Sequence, residues 1–196
     1  MLLRLRLRAA LVPACGPASS DEAAIETPDN APDSSRFPRS GALWVATAGG
    51  AGYAPVAPGT FGSAVGVIAY VVLADLGVFL FGVTLMGLAF LGIWACDVAE
   101  RVFDRKDDGR IVIDEVVGQL LTLAPLVAVA PAAGRRAPLW LLAGFLLFRL
   151  LDIWKPPPAR WAERSFPGGA GVMMDDVFAG LQGAALMSAA LLWGAS

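Results

Sequence analysis

Histidine does not occur anywhere in the 196 residues. Its absence excludes a Ser-His-Asp triad, a Cys-His pair, a phosphohistidine intermediate and imidazole-ligated zinc. Cysteine is nearly missing as well. Cys15 and Cys96 are too few for a Cys₄ metal site or a disulfide framework. A thiol phosphatase needs an arginine six positions after its cysteine; six after Cys96 stands Val102, with Arg101 one place short. Cys96 reads as a small apolar packing residue. Charge is scarce too, at 16% of residues against roughly 25% in an average soluble domain. The net charge of −2 gives no electrostatic case for binding nucleic acid. Carboxylates, hydroxyls, Lys and Arg remain for chemistry, and with them a hard metal ion held through oxygen.

What the chain has in abundance is apolar surface: 57% hydrophobic residues and a mean hydropathy of +0.64. Uncharged runs cover Gly41–Ala74, Leu76–Cys96, Val116–Gly134, Ala137–Phe148 and Val177–Ser196. They are too apolar all round to be one-faced surface helices. The pattern predicts an all-α, polytopic membrane bundle of about five apolar helices, near 60–74, 76–103, 112–131, 138–155 and 174–194. Some are short for a full span, which fits a partly re-entrant first helix. Residues 41–196 form one integral-membrane domain on this reading, with the Gly/Pro-rich stretch up to Pro58 as loop. Residues 1–40 alternate Leu with Arg and then turn polar, rich in Pro, Ser and Asp, as in a flexible tail. A basic arm on an anionic membrane surface is a use for such a tail. A signal peptide is a poor match, because only four apolar residues separate Arg8 from Pro13.

Charge placement predicts sidedness. If the five helices alternate in direction, one side collects Arg4, Arg6, Arg8, Arg36, Arg39, Arg101, Arg105, Lys106, Arg110, Lys155, Arg160 and Arg164. The other side has only Arg135 and Arg136. An excess of twelve against two places the N-terminus in the cytoplasm. Trp154, Trp161 and Trp193 fit interfacial anchors.

Three apolar segments carry acids that a membrane helix normally avoids. The third begins IVIDEVVG, with Asp114 and Glu115. The fourth ends FRLLDIWKP, with Arg149, Asp152 and Lys155 three apart on one helical face. The fifth begins GGAGVMMDDVFAG, with Asp175 and Asp176. A carboxylate at membrane depth costs about 2.5–3.5 kcal/mol, which makes each a functional candidate. All three clusters fall at cytoplasmic helix ends in this topology, where they can converge. Blander readings stand beside this one. Arg149–Asp152 can be a helix-tying ion pair, and Asp175 and Asp176 hydrated acids favoured by a helix N-terminus. Adjacent residues diverge by about 100° on a helix, so one member of each pair can be structural. Asp97, Glu100 and Asp104 read as a solvated helix end.

A carboxylate cluster without histidine suits Mg²⁺. Arg149 and Lys155 suit phosphate oxygens. The segment APGTFGS opens the first helix with accessible amides at Gly59 and hydroxyls at Thr60 and Ser63, a setting that can hold an anion. These parts describe a metal-assisted phosphate site at the cytoplasmic face of a membrane.

Four segments, APGTFGS at 57–63, DGRIVIDEVVG at 108–118, FRLLDIWKPPPARWAER at 148–164 and GGAGVMMDDVFAG at 168–180, resemble phosphatidylglycerophosphatase A in order and spacing. The resemblance covers about residues 42–194. It implies a Mg²⁺-dependent phosphatase of the bacterial inner (cytoplasmic) membrane that hydrolyses the phospholipid phosphatidylglycerophosphate to phosphatidylglycerol and phosphate. The family's acids fall on Asp107, Asp114, Glu115, Asp152, Asp175 and Asp176, its basic positions on Arg149, Lys155 and Arg164, and its small-residue loop on Pro58, Gly59, Thr60 and Ser63. Where members often carry Asp, this chain has Glu163, and the tail before Gly41 lies outside the resemblance. The implied division of labour has Asp114, Glu115, Asp175 and Asp176 on the metal, with Asp152 completing or orienting the set. Arg149, Lys155 and the Gly59–Ser63 segment hold the phosphate.

The runner-up is a small cation transporter or channel using intramembrane carboxylates, which expects its acids near the bilayer midplane. A CDP-lipid phosphotransferase carries an Asp-Gly-x-x-Ala-Arg run, which Asp108-Gly109-Arg110-Ile111 does not continue.

Overall fold

The computed structural model describes residues 36–133, 137–157 and 166–195, and among these there is no strand. Its helices are α1 (Arg36–Ala46), α2 (Pro58–Leu73), α3 (Gly77–Phe103), α4 (Ile113–Ala133), α5 (Ala137–Trp154) and α6 (Gly169–Ala195). The N-terminal residues read as tail up to position 35, and Arg135, Arg136, Arg160, Trp161, Glu163 and Arg164, lie outside the described residues.

Hydrocarbon offers no partner for backbone polar groups, so apolar runs of this length resolve as helices whose hydrogen bonds are internal. Three stretches are long and apolar enough to cross a membrane: Pro58–Phe103, Ala137–Trp154 and Gly169–Trp193. Their outward faces are largely apolar, with Phe79 80%, Ile153 74% and Trp193 86% exposed, as surfaces in contact with lipid must be. Pro58–Phe103 is a hairpin. The chain turns over at Ala74–Leu76 and re-enters through Gly77, whose φ of +76° is open to glycine at little cost. With 16 residues, α2 is about 24 Å long and falls short of a core about 30 Å thick.

The central element is α4, which packs against α2, α3, α5 and α6. It buries Val116, Val117, Leu120, Leu123 and Leu126 among them. The starts of α2, α4 and α6 meet the ends of α3 and α5 at one end of this bundle, as alternating helices require.

Two boundaries differ from the sequence reading. Helix α1 forms where tail and loop were expected. Buried Ala42 and Ala46 pack it onto α3, and the Val112 amide donates to the Ala46 carbonyl at 2.8 Å. Helix α6 starts at Gly169 rather than near 174. Asp97 of α3 supplies the missing cap, its Oδ1 accepting from the Gly169 amide at 2.6 Å. The Gly-rich text that reads as loop is therefore the first turn of a helix pressed against α3.

Candidate active site

The loop before α4 is fastened by Asp108. Its carboxylate accepts from the Arg110 amide at 3.0 Å and from the guanidinium at 2.7 and 3.0 Å. The Arg110 guanidinium also lies over the Phe103 ring at 3.7 Å. These hydrogen bonds hold the Asp108 carboxyl below its ordinary range. Asp108 is thus structural, a role its sequence position did not reveal.

From that anchored loop, Asp114 and Glu115 emerge in the first turn of α4. Asp176 arrives from the second turn of α6. One carboxylate oxygen from each of Asp114, Glu115 and Asp176 lies within 4.8 Å of the others. Asp114 and Asp176 are buried, and Glu115 Oε2 is buried with no hydrogen-bond partner among the described residues. Asp152 joins the edge of the group, close enough to Asp176 for their like charges to repel.

The cations are tied to the remaining acids. Arg149 Nη1 donates to Asp152 Oδ2 at 2.6 Å, one turn along α5, and to Ser63 Oγ at 3.4 Å across to α2. Ser63 Oγ is fully buried and donates to the Gly59 carbonyl at 3.0 Å. Only one guanidinium nitrogen takes part in these bonds, out of five N–H donors on three. Lys155 lies just past α5 with φ +44°, its amide donating to the Leu151 carbonyl at 2.8 Å. That left-handed turn, costly by about 1–2 kcal/mol for a residue with a Cβ, precedes an ammonium 2.6 Å from Asp175 Oδ2.

Helix α2 closes the site. A Cβ on Gly59 would collide with Glu115 Oε1 and stand 3.2 Å from Arg149 Nη1, so glycine is what lets Glu115 and Arg149 meet there. Among the described residues no side chain caps the start of α2, and the Thr60 amide is taken by the Ala57 carbonyl at 2.9 Å. Thr60 itself is half-buried.

The structure therefore brings together Asp114, Glu115, Asp152, Asp176, Arg149, Ser63 and Gly59, with Lys155 and Asp175 paired beside them. Asp107, expected among the acids, is exposed, and its amide donates to Glu100 Oε1 at 2.9 Å. Sequence reasoning missed Gln119, which is fully buried one turn beyond Glu115. It is the sole polar side chain between Glu115 and Thr122 in an apolar helix, and that was a readable signal.

A group of hard oxygen donors without nitrogen or sulfur, one of them buried and unpartnered, fits Mg²⁺. Crowded carboxylates out of water repel one another unless a cation stands among them.

Residues 44–191 match the phosphatidylglycerophosphatase A family. The chain is 35% identical over 138 residues to the phosphatidylglycerophosphatase A of Escherichia coli, covering 70% of this chain and 76% of that one. To the phosphatidylglycerophosphatase A of Haemophilus influenzae it is 35% identical over 145 residues, covering 74% and 85%. It is also 38% identical over 151 residues to a Bacteroides thetaiotaomicron protein named as a candidate phosphatidylinositol-3-phosphatase, covering 74% and 91%. No solved structure matches the chain.

Proposed function

The chain belongs to the phosphatidylglycerophosphatase A family, and on that premise we propose that it hydrolyses phosphatidylglycerophosphate to phosphatidylglycerol and phosphate at the carboxylate cluster, with Mg²⁺ as cofactor. It is a phosphoric monoester hydrolase of phospholipid synthesis and a protein with membrane helices. The observation that carries the site assignment is the convergence of Asp114, Glu115 and Asp176 beside Arg149.

Asp114, Glu115 and Asp176 would hold the ion, with Asp152 at the edge of the set. When bound, Mg²⁺ supplies positive charge and Lewis acidity toward a phosphoryl oxygen. Arg149 takes phosphate oxygens through its guanidinium, and Asp152 and Ser63 fix its orientation. Lys155 adds positive charge beside Asp175. Water attacks phosphorus in line, the P–O bond to the headgroup glycerol breaks, and the leaving oxygen takes up a proton from solvent. The attacking water gives its proton to a carboxylate oxygen of the cluster. Little of this is covalent chemistry by the protein; positioning and charge carry the rate.

The acids sit in the first two turns of α4 and α6, not at mid-helix, and stand beside two cations, which disfavours the transporter alternative. The site end also carries Arg101, Arg105, Lys106 and Arg110, so we place it on the cytoplasmic side of a bacterial membrane, in a multi-pass arrangement.

The test is phosphate release by the purified full chain in detergent, with and without Mg²⁺, from phosphatidylglycerophosphate and from phosphatidylinositol 3-phosphate. Release from the first substrate, only with Mg²⁺ and not by Asp176→Asn, is the expected result. No release with Mg²⁺, or undiminished release by both Asp176→Asn and Glu115→Gln, overturns the assignment. Preference for the inositol lipid keeps the chemistry and changes the substrate.

A further inference from the structure

Glu115, Gln119 and Leu126 lie within about 40° of one another around α4, at 100° per residue. They form one stripe about 16 Å long, from the carboxylate cluster toward the opposite end of the bundle. Helices α2 and α5 stand on either side of it. At the site end Arg149 of α5 reaches Ser63 of α2. One turn along α4, Gln119 is fully buried, and neither its Oε1 nor its Nε2 has a partner among the described residues. Gly66 of α2 leans on it, since a Cβ there would be 2.7 Å from Gln119 Cβ. At the far end the same three helices line a partly open apolar cavity of about 240 Å³, with Tyr70, Ala74, Leu126, Ala137 and Trp140 among its walls.

A buried amide with neither donor nor acceptor used is costly unless something takes both. Charge, then an amide, then an apolar cavity is the order in which a phospholipid presents phosphate, polar linkage and acyl chain. We propose that the seam between α2 and α5, closed over Gln119 in this structure, parts to become the binding track of the lipid substrate. The terminal phosphate lies at Arg149 and the carboxylates, the polar linkage of the lipid hydrogen-bonds the Gln119 amide, and an acyl chain ends in the cavity between Tyr70 and Trp140. This rests on the lipid phosphatase reading above. A second apolar groove, of about 380 Å³, lies among α1, α2, α3 and the Ile113–Val116 face of α4. That face points away from Glu115 around the helix, so this groove does not continue the site.

The experiment is photolabelling of the full chain in nanodiscs with phosphatidylglycerophosphate bearing a diazirine at an acyl terminus. Label is expected on peptides containing Tyr70 and Trp140, suppressed by unlabelled substrate and not by phosphatidylcholine. Label concentrated at Trp44 and Leu88, or indifferent to competitor, overturns the track. Labelling needs no turnover, so a chain that labels as expected yet releases no phosphate sinks the hydrolase reading alone. Two variants give kinetic readouts. Ala74→Trp is expected to raise KM for long-chain over dihexanoyl substrate about tenfold, and an unchanged ratio counts against the cavity. Gln119→Met removes the orphaned amide at similar volume, so KM is expected to rise about tenfold while the melting temperature does not fall. A lower melting temperature with unchanged KM would make Gln119 structural and remove it from the track.

Discussion

Lys155 Nζ stands 2.6 Å from Asp175 Oδ2, so the two neighbouring aspartates of α6 have separate partners. Asp176 faces the carboxylate cluster, while Asp175 is engaged by the lysine that follows α5. Asp175 is buried and Lys155 is 27% exposed, which places this pair between exposed and fully buried ion pairs. Breaking it from either side is expected to cost about 2 kcal/mol. Lys155→Met combined with Asp175→Asn should cost less than the sum of the two single changes, because the combined change removes the carboxylate charge that Lys155→Met alone leaves buried. A double-mutant cycle on unfolding in mixed micelles measures this. Strict additivity would mean that the contact carries no energy.

Binding of Mg²⁺ to the folded chain must raise its stability if Asp114, Glu115 and Asp176 hold the ion. At a hundredfold excess over the dissociation constant the gain is about 2.7 kcal/mol. For a chain of this length that is roughly 5–10 °C in melting temperature. Asp114→Asn should abolish the shift, whereas Asp107→Asn, changing an exposed acid that is not one of the three grouped carboxylates, should retain it. Thermal melts with and without EDTA decide the point. An equal shift in Asp114→Asn and the unaltered chain would remove Asp114 from the metal set.

Gly59→Ala tests the close approach of α2. The added methyl collides with Glu115 Oε1 and crowds Arg149, so one of the two groups must move. A displacement of about 1 Å at a reacting group can cost on the order of a hundredfold in rate. The expected result is a loss of that size in kcat with less than about 1 kcal/mol of stability lost, since the collision is with flexible side-chain ends. Full activity of Gly59→Ala would show that Glu115 and Arg149 have room to spare.

The membrane helices were legible because a long apolar run has one way to satisfy its backbone in lipid. Their alternation then put Asp114, Asp152 and Asp176 at one end before any coordinates. What could not be read were relations between distant segments. Asp97 looks like a solvated helix-end acid until Gly169, 72 residues on, is seen to donate to it. That one bond also moves the start of α6 back to Gly169. Helix α1 was hidden by its Pro, Ser and Arg content, because what holds it is the burial of two alanines on α3. Which of Asp175 and Asp176 faces the cluster depends on helix rotation, which sequence does not fix when both neighbours are acids.

The Asp108–Arg110 pair makes a pH-dependent prediction for the loop that launches α4. Arg110 holds the Asp108 carboxyl below its ordinary 3.8, by hydrogen bonding first and by charge second. A carboxyl with a lowered value in the folded state binds its proton more readily when unfolded. Its contribution to stability is therefore complete above about pH 4 and lost as pH falls through the lowered value. Asp108→Asn lacks this contribution at every pH. The melting-temperature gap between the unaltered chain and Asp108→Asn should be widest near neutrality and should narrow as pH falls below about 4. A gap that stays constant over that range would mean that Asp108 acts through its turn geometry and not through its charge. Because Ile111 also donates to the Asp108 carbonyl, at 2.8 Å, and α4 begins two residues later, loosening this loop should lower turnover through Asp114 and Glu115. Added Mg²⁺ should then recover part of the loss, by drawing the displaced carboxylates back together.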